Sequence, residues 1–356
     1  MPQDYNTNDY LTILDNRVKD IFPVIGPKVK REWPQYAKQI TDKQLLHTLT
    51  GVTALAMGEI IGDGQVPTSD APIQGYTKTY TQQVFTKRLR LSMKAMYFLF
   101  ENGQDAKIKG EVEKEVTSLK DAVVQLENYL AQAMIYNGNA TSFSFTPLGG
   151  MGVTVSVDTT GIDGVAAFSA SHPREDGGTA WSNIISSGTI NPVFSFTALM
   201  AARGQQALKK DGRGLPLLGE NLNRLLCQTD SNTHFLATSI KKTLDAGKYP
   251  QAYITGGALA LQSPTSLVDG APTVSYEIVP LAVYGTLGIT SVTWALYDST
   301  MVDDEHGLLY IESMPLQLIS AQDAVGGLDY VKTAVQYCQF GFGDMRYWMW
   351  SNGTTA

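Results

Sequence analysis

The sequence has few of the residues that build disulfide-bonded or membrane-spanning proteins. Its two cysteines, Cys227 and Cys338, are far apart and lack the short spacings of metal sites and redox dithiols. We expect both to be buried, reduced thiols. The most apolar early stretch, residues 45–61, is interrupted by polar side chains and is too short to span a membrane. The N-terminus lacks the features of a secretory signal, so we expect a soluble intracellular product that does not bind membranes.

Motifs for nucleotide chemistry and metal binding are also lacking. The glycine-rich segments at residues 148–152 and 255–260 have neither the GxGxxG spacing nor the lysine of a phosphate-binding loop. None of the four histidines forms a spaced pair of the kind that binds a metal. The acidic residues 302–306, VDDEH, lack the alternating ligand spacing of a calcium loop and favour a solvated turn. The sequence therefore predicts neither a cofactor nor a metal site.

One segment leaves an enzyme as an open alternative. Residues 171–176, SHPRED, bring Ser171, His172 and Asp176 together in sequence, and a serine beside a histidine and a carboxylate can become a nucleophile. Catalytic triads are normally assembled from distant segments. A hydrogen-bonded loop is the simpler interpretation, so we expect no enzyme and keep a hydrolase that uses His172 as a distant alternative.

The charge is negative overall and unevenly distributed. The formal net charge is -7, whereas proteins that hold nucleic acid tightly neutralise its phosphates with Lys and Arg. Tight, general DNA binding is therefore not expected. Residues 1–110 contain 14 Lys and Arg against 11 Asp and Glu, so the excess of acid lies in the rest of the chain. This asymmetry suits a basic extension of one subunit that lies on an acidic body of the next.

Residues 76–94 carry five of the positive charges and no acid. Their polar and aromatic pattern predicts a pair of β-strands without an apolar stripe wide enough for a core. A two-stranded ribbon alone is marginally stable in water. We therefore expect this ribbon to rest on another copy of the same protein.

The remaining pattern mixes helices and strands. Leu11, Leu14, Val18 and Ile21 have helical spacing up to Pro23, and a second helical pattern runs from Leu45 to Met57. The strongest signal is an apolar stripe in residues 111–137, which predicts a helix of about seven turns. Beyond it we predict sheet at residues 143–157, helices at 198–210 and 235–244, and strands near Tyr253 and at 276–282, 292–297 and 332–342.

Read in order, several segments resemble the major capsid proteins of tailed bacteriophages, whose fold is named after phage Hong Kong 97. Residues 73–93 look like the extended loop of this family, and residues 111–137 look like its long spine helix. Residues 168–183 are similar to the His-Pro and Gly-rich stretch at which the capsomer-forming A domain begins. The segments at 212–227 and 339–353 also look like family segments. The order of these segments carries the resemblance.

The resemblance implies an α+β fold with one domain inserted into another. Residues 1–62 would form an N-terminal arm, and residues 63–96 the extended β-hairpin loop. Residues 97–165 together with 318–356 would form the peripheral domain, which contains the spine helix 111–137. Residues 166–317 would form the inserted A, or axial, domain.

The resemblance also implies a structural function. The chain would self-assemble into pentamers and hexamers that form the icosahedral head around double-stranded DNA. Its partners would be other copies of itself, a scaffolding protein, a portal and a decoration protein, and it would assemble in the bacterial cytoplasm and remain in the virion. An encapsulin-like protein nanocompartment shell, which encloses enzymes in place of DNA, is the nearest alternative.

The two charge patterns predict one contact between subunits. On the ribbon we expect the contact residues Tyr76, Lys78, Tyr80, Lys87, Arg88 and Arg90. On the spine helix of a neighbour we expect the acidic residues Glu111, Glu113, Glu115 and Asp121, with Glu127 in the same region. Opposite charges on the two surfaces would set their register.

Overall fold

Helices and strands alternate irregularly along the chain, and the α+β class expected from the sequence is confirmed in the described residues. The computed structural model describes residues 7–53, 55, 60, 66, 69–72, 74–92, 105–147, 153–217, 222–245, 276–282, 292–302, 304–319 and 329–353. The helices are α1 (Thr7–Val24), α2 (Asp105–Asn137), α3 (Phe196–Ala207), α4 (Asn232–Asp245) and α5 (Ser299–Val302). The strands are β1 (Ala37–Thr41), β2 (Leu46–Val52), β3 (Gln74–Thr81), β4 (Gln83–Ser92), β5 (Ser142–Phe145), β6 (Val155–Asp158), β7 (Arg224–Gln228), β8 (Glu277–Leu281), β9 (Trp294–Tyr297), β10 (Leu308–Ile319), β11 (Asp329–Phe342) and β12 (Trp348–Ser351).

The first sheet is four-stranded, in the order β1-β10-β11-β4. β1 runs parallel to β10, whereas β10, β11 and β4 are antiparallel neighbours. Directly paired residues share a face of the sheet. The pairs Phe85↔Gln336 and Leu89↔Lys332 lie on the face that packs against α2 and α1, and the pair Val84↔Tyr337 lies on the opposite face, which we call the outer face.

The long helix predicted at residues 111–137 is confirmed as α2, which begins six residues earlier, at Asp105. Its apolar stripe is divided between two clusters of buried side chains. Val112, Val116 and Leu119 pack against α1, which supplies Leu14, Val18 and Ile21, and Leu130 and Met134 enter a larger aromatic core. The helix therefore joins the N-terminal segment to the centre of the molecule.

The second sheet has the order β12-β9-β7-β8, and all of its strands except β12 lie with α3 and α4 in the region that the sequence suggests as an inserted domain. The predicted helices at 198–210 and 235–244 are confirmed as α3 and α4, and two predicted strands are confirmed as β8 and β9. The strand predicted near Tyr253 lies outside the described residues. Stacked rings, including Tyr297 on Trp348 at 4.6 Å between centroids, link this sheet to the aromatic core.

One of the expected domain boundaries, between residues 317 and 318, divides both sheets. β10 crosses residue 317 and pairs along its length with β11, so it continues the first sheet rather than ending the insert. β12, from the C-terminal segment expected in the peripheral domain, pairs with β9 in the second sheet. Both sheets are therefore built from segments on either side of the expected boundaries.

Two predictions for the segment before α2 are wrong. The helix expected from Leu45 to Met57 is the strand β2 over residues 46–52, where alternating Thr48, Thr50 and Val52 favour a strand over a helix. The strands expected in residues 76–94 form, but not as a hairpin, because β3 pairs with β2 and β4 pairs with β11. One residue, Gln82, separates β3 from β4, whereas tight hairpins need two.

The pair β2–β3 rests on the first sheet of its own chain, contrary to the expectation that it needs another copy. The Tyr80 side chain is 2 % exposed and packs with Leu309 and Ile311 on the outer face. Its hydroxyl donates to the carbonyl of Phe342 at 2.7 Å. The ring lies over Gly341 of β11, where a side chain would prevent the approach.

We predict that Gly341→Ala destabilises the subunit by roughly 1–3 kcal/mol, because overpacking forces neighbouring side chains to move. A Cβ atom at Gly341 would overlap the Cε1 and Cδ1 atoms of Tyr80, so the ring must move and lose its hydrogen bond. Urea unfolding of the dilute subunit measures the change. Gly204→Ala on α3 is the matched control, since its Cβ meets nothing within 4 Å. Equal stability of the two variants would contradict this packing.

Candidate assembly surfaces

A buried carboxylate, Glu127 of α2, lies at the centre of the molecule. It is 0 % exposed and accepts hydrogen bonds from four side chains on three separate segments. The donors are Arg31 Nε at 2.7 Å, Trp33 Nε1 at 3.1 Å, Tyr310 Oη at 3.1 Å and Gln336 Nε2 at 3.1 Å. Burial lowers the pKa of Arg31, but the attraction of Glu127 outweighs this and the net shift is upward. The sequence had suggested Glu127 as part of a contact with a neighbouring subunit. Because it is buried and hydrogen-bonded within its own chain, it is not available for that contact.

The residues before β1 follow α2 through a series of polar contacts. Lys120 donates to the carbonyl of Ile25 at 2.7 Å, just after the end of α1, where a positive charge is favourable. Asp121 accepts from the backbone amides of Lys28 at 2.6 Å and Val29 at 3.0 Å. The predicted intersubunit residue Asp121 therefore binds the N-terminal segment of its own chain.

The predicted contact residues on β3 are also engaged within the chain. Lys78 forms an ion pair with Asp158 at 2.9 Å and donates to the carbonyl of Thr160 at 2.5 Å. Burial lowers the pKa of Lys78. Tyr80 is buried as described above, and Tyr76 is partly exposed. Lys78 and Tyr80 therefore attach the β2–β3 pair to the body of the same subunit.

The basic residues of β4 lie on the edge of the first sheet, with Lys87 and Arg88 exposed. Side chains alternate between faces along a strand. Lys87 pairs with Ala334 and lies on the helix side, whereas Arg88 pairs with Thr333 and lies on the outer face. The side chain of Arg90 lies outside the described residues. The expected basic patch is therefore divided between two faces.

The outer face next to Arg88 carries apolar side chains that are not among the contact residues predicted from the sequence. The register aligns Val84, Tyr337 and Met314 in one row across three strands, and Arg88, Thr333 and Ile319 in another. Val84 is 52 % exposed and Ile319 is 45 % exposed. Which face of these strands meets solvent depends on the position of α2, which local sequence patterns do not give.

The acidic residues at the start of α2 remain at the surface. Glu111 pairs with Lys114 at 2.7 Å and Glu113 with Lys109 at 3.8 Å, both within the helix. Such exposed pairs contribute little to stability. Glu115 is exposed and forms no ion pair with the described residues. Glu115 is therefore the acid of this group that is most available to a partner.

His172 is not arranged as a catalytic base. Its ring is 1 % exposed, stacks on Trp181 at 4.1 Å between centroids, and has its Nδ1 atom 2.7 Å from Asp163. Its Nε2 atom has no hydrogen-bond partner among the described residues, so no serine is engaged there. The backbone amide of Ser171 donates to Ser169 at 3.1 Å. The segment is a hydrogen-bonded loop, as the simpler interpretation had it.

The described residues also bear on metal binding, membrane spanning and the state of the two cysteines. No group of three His, Cys, Asp or Glu side chains in them is placed to hold a metal ion. None of the helices they contain combines the length and apolar character needed to cross a bilayer. Both cysteines are buried and free, as predicted, and burial raises the pKa of the Cys227 thiol to about 12.

Comparisons with known proteins give structural similarities at low sequence identity. No protein-family model and no curated protein sequence matches the chain. The capsid of an empty GTA particle is similar with 11% identity over 94% of this chain and 97% of its own, at a TM-score of 0.47. The capsid of the cyanophage P-SCSP1u is similar with 10% identity over 92% of this chain and 90% of its own, at a TM-score of 0.46. A structure from Mycobacterium phage Patience is similar with 11% identity over 100% of this chain and 91% of its own, at a TM-score of 0.45.

We predict that Glu127→Ala destabilises the subunit by about 3 kcal/mol or more, because it leaves several buried donors without an acceptor. Glu127→Gln keeps the shape and one carbonyl acceptor, so it should cost less. Glu115→Ala, an exposed acid on the same helix, is the control and should change stability by less than about 0.5 kcal/mol. Chemical denaturation compares the three. Equal stability of Glu127→Ala and the control would contradict the role of Glu127.

The Lys78–Asp158 pair predicts an acid-dependent contribution to stability. Burial raises the pKa of Asp158, but the amide of Thr160 and the charge of Lys78 outweigh it, so the net shift is downward. A carboxyl group whose pKa falls on folding stabilises above its unfolded pKa of about 3.9 and loses this effect as the pH falls through the folded value. The difference in melting temperature between the wild type and Asp158→Asn should therefore be present at pH 6 and disappear in acid. A difference that grows in acid would contradict the assignment.

Proposed function

We propose that this chain is the major capsid protein of a tailed bacteriophage, which self-assembles as pentamers and hexamers into an icosahedral shell around double-stranded DNA. The order of segments in the sequence, from arm to C-terminal strand, supports this proposal. The burial of His172 argues against the hydrolase alternative. The observation that carries the proposal is the outer face of the first sheet, whose exposed apolar side chains suit contact with another protein surface.

The composition of the outer face supports a protein partner. An antiparallel sheet that faces water on one side usually alternates apolar residues inward and polar residues outward. Here the outward positions include Val84, Met314, Tyr337 and Ile319, in rows that continue across three strands. Exposed apolar surface with a rim of charge is typical of protein interfaces. A second copy of the chain is the partner that a shell requires.

Charge supplies the register of the proposed contact. Arg88 lies on the outer face, Lys87 lies on the helix side of the same edge strand, and Arg90 follows two residues after Arg88 in β4. Glu111, Glu113 and Glu115 of a neighbouring α2 are the complementary acids, with Glu115 the one that has no ion pair among the described residues. Tyr76, Lys78, Tyr80 and Asp121 were expected in the same contact. In our proposal they instead hold the ribbon and the N-terminal segment in place.

The wider organisation is part of the same proposal. An arm (1–62), an extended loop (63–96), a peripheral domain (97–165 with 318–356) and an A domain (166–317) remain useful names for segments, with β10 reassigned to the first sheet. The acidic body suits a wall that encloses DNA without binding its phosphates tightly. Scaffolding, portal and decoration proteins would act as partners during assembly in the bacterial cytoplasm.

Charge reversal tests the proposed contact. Arg88→Glu and Glu115→Lys should each lower the yield of large particles by about tenfold or more, since like charges at an interface cost several kcal/mol. The double variant, which restores opposite signs, should recover much of the yield. Sedimentation velocity and light scattering of purified protein measure particle yield, and circular dichroism checks that each subunit is folded.

Lys43→Glu is the matched control, because Lys43 is exposed between β1 and β2 and forms no ion pair with the described residues. It makes the same charge change and should assemble like the wild type. Normal assembly of both Arg88→Glu and Glu115→Lys would rule out this contact. A wild-type protein that remains monomeric under all assembly conditions would rule out the proposed function itself.

A further inference from the structure

A second pair of complementary surfaces lies at opposite ends of the second sheet. One surface is a groove of about 540 Å³ beside the C-terminal end of α3, and its lining includes Leu208, Lys209 and Lys210. The other is the turn between β7 and α4, which carries Asp230 and is followed by Phe235. Each surface combines an exposed charge with an exposed apolar side chain, and the two charges have opposite signs.

The groove is cationic, and one of its lysines, Lys210, forms no ion pair with the described residues. None of its described lining residues carries a carboxylate. Arg174 is paired with Asp176 at its edge, and Lys209 is buried and donates to the carbonyls of Arg346 at 2.8 Å and Trp348 at 2.9 Å. Lys210 is exposed and forms no ion pair with any described residue. Leu208 beside it is 80 % exposed.

The turn presents the reverse combination. Asp230 is exposed with a backbone φ of 55°, and its amide donates to His234 Nδ1 at 3.2 Å. Its carboxylate forms no ion pair within the described part of the chain. Phe235, in the first turn of α4, is 62 % exposed. An aromatic side chain left this open beside an unpaired charge is a typical anchor of a protein interface.

The register of the sheet shows that the two surfaces do not meet within one subunit. Lys209 binds the carbonyl of Trp348, Trp348 pairs with Tyr297, and Tyr297 pairs with Arg224 at the start of β7. Asp230 follows the other end of β7, beyond Gln228. A five-residue strand separates these ends by about 13 Å, at about 3.3 Å per residue. A contact between them must therefore join two copies.

We infer that the groove of one copy receives the β7–α4 turn of the next copy, with Lys210 pairing with Asp230 and Leu208 packing against Phe235. Two different surfaces that bind in this head-to-tail manner generate a ring when the rotation closes. The inference rests on the proposed function and identifies a contact within a ring, separate from the contact through β4. It explains why both ends of this sheet carry open apolar side chains.

The reciprocal charge swap tests this pairing directly. Lys210→Glu and Asp230→Lys should each reduce the fraction of protein in rings by about tenfold or more, and the double variant should recover most of it. Phe235→Ser should also reduce ring formation. Lys242→Glu is the matched control, since Lys242 is exposed on the last turn of α4, away from the turn at Asp230, and should leave rings unchanged. Native mass spectrometry and negative-stain microscopy count rings, and circular dichroism confirms folding.

The outcomes distinguish this inference from the proposed function. If the wild type assembles and the single variants assemble equally well, the inference is wrong and the proposed function stands. If both single variants fail and the double variant fails equally, the pairing is wrong, because opposite charges alone do not restore the contact. If the groove instead retains a single-stranded oligonucleotide in a filter-binding assay and Lys210→Glu abolishes this while rings persist, the partner is a nucleic acid and the inference is overturned.

Discussion

The buried carboxylate of Glu127 is the interaction on which the arrangement of this protein depends. A buried ion is costly unless each of its lone pairs is satisfied. Here Arg31, Trp33, Tyr310 and Gln336 supply the donors, and they come from the N-terminal segment, β10 and β11. Since these segments are far apart in sequence, the network can form only when the N-terminal segment, α2 and the first sheet have all come together. We therefore expect Glu127 to select one arrangement of these parts over others that apolar packing would allow.

The arrangement of the N-terminal segment, α2 and the first sheet determines which surfaces of the subunit are exposed. α2 and α1 lie on one face of the first sheet, and the β2–β3 pair lies on part of the other; no other described element packs on the remaining outer face between β4 and β10. The polar contacts of Lys120, Asp121 and Lys78 are used within the subunit, so the charges left for partners are fewer than the sequence suggests. The acids and lysines that form no ion pair with the described residues include Glu115 on α2, and Lys210 and Asp230 at the two ends of the second sheet.

Local patterns predicted much of the secondary structure and little of its pairing. The stripe in α2 was readable because Val112, Val116 and Leu119 repeat at helical spacing, and the helices α3 and α4 were readable for the same reason. The partner of β4 was not, because strand pairing over more than two hundred residues leaves no local signal. Glu127 was misread as a surface acid, since its burial depends on donors about a hundred or more residues away in either direction. The error over residues 46–52 arose because a segment of seven residues is too short for its hydrophobic periodicity to distinguish a helix from a strand.

The central claim is that the described part of one subunit folds on its own and leaves defined surfaces by which copies form a closed shell. A cryo-electron microscopy map of the purified, assembled protein tests it most directly. The account predicts closed particles with fivefold and sixfold rings, in which a neighbouring chain covers the outer face at Val84 and Arg88 while Glu127 remains buried in its own subunit. Closed particles in which that sheet face is bare, or a protein that forms no particles at all, would contradict it.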